Sequence, residues 1–238
     1  LLMWLPIILV VGLILPSNFS TALLIFIMST MIIFIAGYKL KHLTVLFFLF
    51  IFLISSFLYA VNKFPDIIPN RVDTWTNRIE NFVNNDIDDT SNYQINRAKA
   101  AIANGKIFGV GAGKSSMKYI LPQSTSDFIF SIIAEEYGII VSLIILLLYV
   151  VLLFRIIITS YRSETKFGQL VSVAVGIPVV FQAFTNMAVA VQLIPVTGQP
   201  LPLVSTGGTS IWITFLAMGI LLSVSKNNLK YNTVAIDD

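Results

Sequence analysis

Asp127, Glu135 and Glu136 place three carboxylates within ten residues, where a polar stretch ending LPQSTSD meets the predominantly apolar run Phe128–Phe154. A carboxylate carried to the centre of a bilayer costs roughly 2.5–3.5 kcal/mol, so an ionisable side chain at a membrane entrance is a candidate functional group by default. Asp127 offers a basic oxygen there. The competing reading is structural: Ser126 or Asp127 caps the next helix by accepting from its first free N–H groups. Position alone leaves both open. On a helix Glu135 and Glu136 lie about 12–14 Å deeper than Asp127, turned from it by about 80° and 180°, so at most one shares its face.

Upstream, GKIFGVGAGKSS (Gly105–Ser116) has the look of a phosphate loop and fails the test. A P-loop requires G-x-x-x-x-G-K-[ST], but Phe108 stands five residues before Gly113, and no strand precedes the segment. Nucleotide binding is rejected. Gly109, Gly111 and Gly113 can instead bring backbone N–H groups, with Lys114 and Lys118, close to an anion such as a pyrophosphate at the membrane surface. A tight packing turn against neighbouring helices explains the same glycines. Deeper in the chain, Gln182 and Asn186 share a helix face at i, i+4 beside Pro178, and are possible partners for a buried carboxylate. Such amides either join helices or line a polar cavity. PVTGQPLPLVSTGGTS (Pro195–Ser210) carries three prolines and three glycines, which suits irregular backbone beside a cavity.

The elements that position these groups are read from hydropathy. The chain is 56% hydrophobic and 11% charged, with mean hydropathy +0.86. Apolar runs of about 20 residues match a hydrocarbon core of ~30 Å. The fold class is all-α, a polytopic helical membrane protein, with spans at about 1–16, 20–38, 43–62, 128–154, 167–194 and 205–225. Cysteine is absent, which excludes disulfides, thiolate metal sites and a Cys nucleophile. The lone histidine, His42, leaves no Ser–His triad outside its own short link. The chain opens on Leu with no basic leader before its apolar run, and is expected to begin inside a larger protein whose earlier helices precede it.

Charge orients the spans. Lys39, Lys41 and His42, then Arg155, Arg162 and Lys166, then Lys226 and Lys230 fall on one side if the spans alternate. That side is cytoplasmic by the positive-inside rule, and long loops largely escape the rule. The loop of about 63–127 is therefore expected outside, although it holds eight Lys/Arg. Within it Trp75, Ile79, Phe82 and Val83 follow one face of a short amphipathic helix. A second helix is predicted from Asn92 to Asn104, with Ser91 as cap and Gly105 as stop. Between them Asp86, Asp88 and Asp89 offer hard oxygens, though without EF-hand spacing a solvated turn is the better reading.

Taken in order, GVGAGKS, LPQSTSDFIF, IIAEEYG, FQAFTN and PVTGQPLPLVSTGGTS resemble the SEDS family of bacterial cell-wall glycosyltransferases, over essentially the whole chain and closest to its cell-division members. Gln123 and Thr125 stand where members commonly carry Glu and His, and the run Pro16–Thr21 lacks the acid common near the fifth helix. The resemblance implies ten transmembrane helices, of which this chain supplies the last six in a single membrane domain, with the catalytic loop outside and the C-terminus cytoplasmic. It implies polymerisation of lipid II, an undecaprenyl-pyrophosphate disaccharide-pentapeptide, with Asp127 matching the family's essential acid. Lys114, Lys118 and Arg97, or a divalent cation such as Mg2+, would then stabilise the leaving pyrophosphate, and Glu135, Gln182 and Asn186 would line the substrate cavity. Expected partners are lipid II, a class B penicillin-binding transpeptidase, other division proteins and membrane lipids, with no nucleic acid. A lipid-linked precursor transporter and a non-catalytic division scaffold are the alternatives.

Overall fold

The computed structural model describes residues 4–63 and 90–237, so the predicted helix at Trp75–Val83 and the acidic turn at Asp86, Asp88 and Asp89 lie outside the described residues. Every regular element among the described residues is helical. They are α1 (Trp4–Ile14), α2 (Phe19–Ile35), α3 (Leu40–Lys63), α4 (Thr90–Gly105), a 3-10 turn at Met117–Tyr119, α5 (Ile129–Tyr161), α6 (Lys166–Ala190) and α7 (Gly208–Asp237). Two compact units divide them, Leu1–Val83 and Asn84–Asp238.

In the first unit α1–α3 follow the three predicted N-terminal spans. Their mutual faces bury Val11, Leu15, Ala22, Phe26 and Phe50, with the Phe26 and Phe50 rings stacked at 4.0 Å. Asn18 caps α2: its side chain accepts from Thr21 N at 3.2 Å.

The second unit holds every candidate site residue. Three of its helical stretches, Ile129–Tyr161, Lys166–Ala190 and Gly208–Lys226, are long and apolar enough to cross a bilayer. Helix α5 runs to Tyr161 rather than the predicted 154, because Ile156–Ile158 continue the apolar face past Arg155. Helix α6 stops at Ala190, four residues short of prediction, where Gln192 takes a left-handed φ of 57°. Helices α5 and α6 pack through small residues at seven-residue spacing, the membrane solution for close approach. Ala183 and Ala190 are fully buried, and a Cβ on Gly176 would meet Ile156 Cγ2 at 2.7 Å. Around this seam Phe130, Tyr149, Met187 and Leu201 close one core, and Ile156, Val173, Val180 and Leu221 another.

Candidate functional site

Gly138 determines how the polar end of this unit is built. It interrupts α5 with φ 79° and ψ −179°, a conformation that only glycine adopts readily. The break frees two helix carbonyls for another segment. Val110 N donates to Glu135 O at 2.9 Å, Gly111 N donates to Glu136 O at 2.9 Å, and Ile139 N donates to Lys106 O at 3.0 Å. The backbone following α4 is thereby laid directly against the broken turn. There is no room for side chains in this contact: a Cβ on Gly109 would sit 2.2 Å from Glu136 O.

The glycine-rich segment is thus a packing turn. Gly109, Val110 and Gly111 have their N–H groups donated to the carbonyls of Gly105, Glu135 and Glu136, so those three are not available to cradle an anion. Lys114 and Lys118 remain exposed beyond the turn. Helix α4 begins at Thr90, slightly before its predicted start, and ends at Gly105 where a stop was predicted. On it Arg97 is half-buried, its guanidinium 4.9 Å from the Tyr93 ring centroid.

Glu135 is 1% exposed and wholly engaged by the protein. Ser116 Oγ donates to Oε1 at 2.9 Å and Met117 N to Oε2 at 3.3 Å, Asn104 Nδ2 donates to Oε1 at 3.4 Å, and Ser115 Oγ also donates to Oε2. An ionised carboxylate is acceptor-only, and four donors suit it. Ser115 Oγ accepts in turn from Lys118 N at 3.0 Å. The expected partners Gln182 and Asn186 do not reach it. Its bonds fix the stretch carrying Lys114 and Lys118, so Glu135 positions that segment instead of lining a substrate cavity.

Asp127 belongs to a second cluster. The capping reading fails: Phe128 occupies the cap position of α5, with no side-chain cap bond. The preceding loop satisfies its own backbone instead. Gln123, left-handed at φ 55°, accepts through its carbonyl from Ser126 N, Asp127 N and Phe128 N at 3.1, 3.1 and 3.4 Å. Among the described residues the Asp127 carboxylate has no hydrogen-bond or ion-pair partner; it is half-buried, facing Gly198, where a Cβ would come within 3.6 Å of Oδ2.

What holds Asp127 is its backbone. Asn186 Nδ2 donates to Asp127 O at 2.7 Å and to Gln199 O at 2.8 Å. Ser205 Oγ donates to Ser126 O at 2.6 Å, and Thr206 donates to Thr125 O through both N and Oγ1 at 3.0 Å. Gln182 Nε2 donates to Pro200 O at 3.2 Å, and Tyr149 OH donates to Pro202 O. The proline- and glycine-rich turn is therefore clamped from α5 and α6 on one side and sewn to the LPQSTSD loop on the other. Gln182 also lines a cavity of about 510 Å3 with Gln199 and Pro200, between α6 and α7. Beneath the loop Leu121, Phe128, Ile132 and Val189 pack with Ala98 of α4. Ser205, Thr206 and Tyr149 carry no local sequence signal, because their hydroxyls bond carbonyls 79, 81 and 53 residues away.

A cation finds no ready-made cage here. Among the described residues no three acids or histidines gather in one place. Asp127 offers a single carboxylate, which fits Mg2+ only in the mode where substrate phosphates supply the other oxygens.

The family model for FtsW/RodA/SpoVE, described as cell cycle protein, matches residues 1–230. Among curated relatives, a probable peptidoglycan glycosyltransferase FtsW of Enterococcus hirae is 41% identical over 139 residues, covering 58% of this chain and 35% of the relative. Stage V sporulation protein E of Bacillus subtilis (strain 168) is 36% identical over 195 residues, covering 82% of this chain and 50% of the relative. The chain thus spans between about a third and a half of these relatives. A solved structure titled "Structural coordination of polymerization and crosslinking by a peptidoglycan synthase complex" superposes with TM-score 0.69 at 25% identity, covering 94% of this chain and 60% of that one.

Proposed function

Because this chain belongs to the FtsW/RodA/SpoVE family, we propose that the complete protein polymerises lipid II into peptidoglycan glycan strands, with Asp127 as its general base. The observation that carries the reading is Asp127 itself: its backbone is clamped by Asn186, while its carboxylate has no partner among the described residues and stays half-exposed. A carboxylate kept for structure would be expected to spend its oxygens on donors, as Glu135 does.

In the reaction a sugar hydroxyl of one lipid II attacks the anomeric carbon of another. The new C–O bond forms as the bond to pyrophosphate breaks, and undecaprenyl pyrophosphate departs with the electron pair. Asp127 accepts the hydroxyl proton in the transition state, a contribution of typically 10²–10⁴-fold. Direct displacement inverts the anomeric centre and needs one carboxylate. Lys114 and Lys118, exposed on the segment that Glu135 fixes, and Arg97 on α4 supply positive charge for the leaving group. Asp127 is the residue that would hold a Mg2+ ion, which would supply further charge neutralisation for the leaving group. An apolar cavity of about 290 Å3, lined by Ile102, Phe130, Ala134 and Met187, suits the carrier's hydrocarbon.

We place the Asp127 loop outside the cell and the α5–α6 link in the cytoplasm, on the strength of the charge pattern of the short links. A class B penicillin-binding transpeptidase is the proposed partner, supported by the likeness to a solved synthase complex, and cell division is the proposed setting. The test is polymerisation of lipid II by the complete protein carrying Asp127→Asn, with its partner. Retained polymerisation by a well-folded variant refutes the catalytic role of Asp127.

A further inference from the structure

We propose that the end of the second unit remote from Asp127 holds an anionic phospholipid, its phosphate clasped by Arg155 and Arg162 and one acyl chain lying in the groove between α5 and α7. The groove has a volume of about 470 Å3, with walls that include Leu152, Ile156, Met218 and Leu221, and both arginines border it. Seven residues apart, Arg155 on α5 and Arg162 at its C-cap lie within about 20° of one face and about 10 Å apart along the axis.

Their depth supports the assignment. Residues 137–154 carry no charged side chain, and at ~1.5 Å per residue they span about 27 Å, close to the ~30 Å hydrocarbon core. Arg155 therefore lies at the boundary where phosphate groups begin, and Arg162 beyond it. A phosphate between them is within reach of both flexible side chains.

Both guanidiniums lack a hydrogen-bond or ion-pair partner among the described residues. Among the described residues, Glu164 and Lys166 follow Arg162 in the link to α6 and Lys226 follows the groove-lining Ser225, and all three are exposed. The surplus is positive. A charged group at this depth is costly unless an opposite charge meets it, and a basic pocket between transmembrane helices that continues into an apolar groove has the chemistry of an anionic lipid site. A soluble anion would leave the groove unfilled, and a zwitterionic lipid would present its own cation to the arginines.

The experiment is native mass spectrometry of the complete protein, counting bound phosphatidylglycerol against phosphatidylcholine offered at equal concentration. The unaltered protein should retain phosphatidylglycerol at least tenfold better. Arg155→Gln with Arg162→Gln should abolish the preference. Leu222→Trp should also reduce retention by filling the groove, at a groove-lining position 70% exposed and so tolerant of bulk. Lys166→Gln with Lys226→Gln removes the same charge elsewhere and should leave the preference unchanged. No preference in the unaltered protein overturns the proposal, as does a preference that survives the arginine or Leu222 changes, or an equal loss in the lysine pair. The readout does not depend on polymerisation, so it stands or falls apart from the role of Asp127.

Discussion

Asn186 Nδ2 donates to the backbone carbonyl of Asp127 at 2.7 Å, across 59 residues of sequence, and shares the same amide nitrogen with Gln199 O at 2.8 Å. One side chain on α6 therefore sets the distance between the candidate base and the turn that faces it, and leaves the carboxylate unengaged among the described residues. Glu135 is the opposite case: its carboxylate is wholly engaged by donors within the protein.

Asn186→Ala should disturb both stability and activity. The carbonyls of Asp127 and Gln199 lose a buried partner, and a buried acceptor left unmade costs about 1–3 kcal/mol. Thermal unfolding of the complete protein should shift downward, and polymerisation should fall at least tenfold as the Asp127 loop loosens. Unchanged activity would show that the clamp does not govern the base.

Asp127→Asn removes the basic oxygen and keeps the shape. Since the side chain neither caps α5 nor accepts a bond among the described residues, stability should be unchanged. Lipid II should still bind, and polymerisation should fall by two or more orders of magnitude. A gel assay of glycan strands beside a thermal-stability measurement checks both halves.

Lys114→Gln with Lys118→Gln should weaken lipid II binding at least tenfold with the fold intact, because charge-assisted bonds to phosphate contribute roughly 1.5–3 kcal/mol each when not fully solvated. Binding equal to the unaltered protein would leave the segment as a packing turn alone.

Glu135→Gln should act on the same segment from behind. The amide nitrogen is a donor set against donors, so bonds from Ser115, Ser116 and Asn104 cannot all survive. Hydrogen exchange of residues 106–118 should accelerate, and lipid II affinity should fall more than turnover at saturation. Exchange at the unaltered rate would exclude the positioning role.

Sidedness can be read directly in a chain without cysteine. Tyr119 and Tyr161 are 85% and 87% exposed, one near the Asp127 loop and the other at the far end of α5. An impermeant thiol reagent should label Tyr119→Cys and not Tyr161→Cys in cells whose outer barrier is permeable. The reverse pattern would invert the orientation.

The helices were legible in the sequence because hydropathy is a local property that sums along a segment. The apolar composition of Phe128–Phe154 alone requires most of α5, and Gly105 marks the end of α4, where a Cβ would sit 1.8 Å from Ala134 O and Lys106 takes the left-handed φ of 46°. The resemblance singled out Asp127 through its motif, and the structure shows it free of capping. The partners of each polar group could not be read in this way. Helical spacing offers Gln182 and Asn186 as possible partners for a buried carboxylate, yet Gly138 breaks α5 and admits the backbone of residues 106–111, which brings Ser115, Ser116 and Met117 to Glu135. The same break commits the N–H groups of Val110 and Gly111, which settled the glycine segment as a packing turn. Sequence specifies which residues must leave water; which donor then meets which acceptor depends on distances between segments far apart in the chain, and only the tertiary structure fixes those.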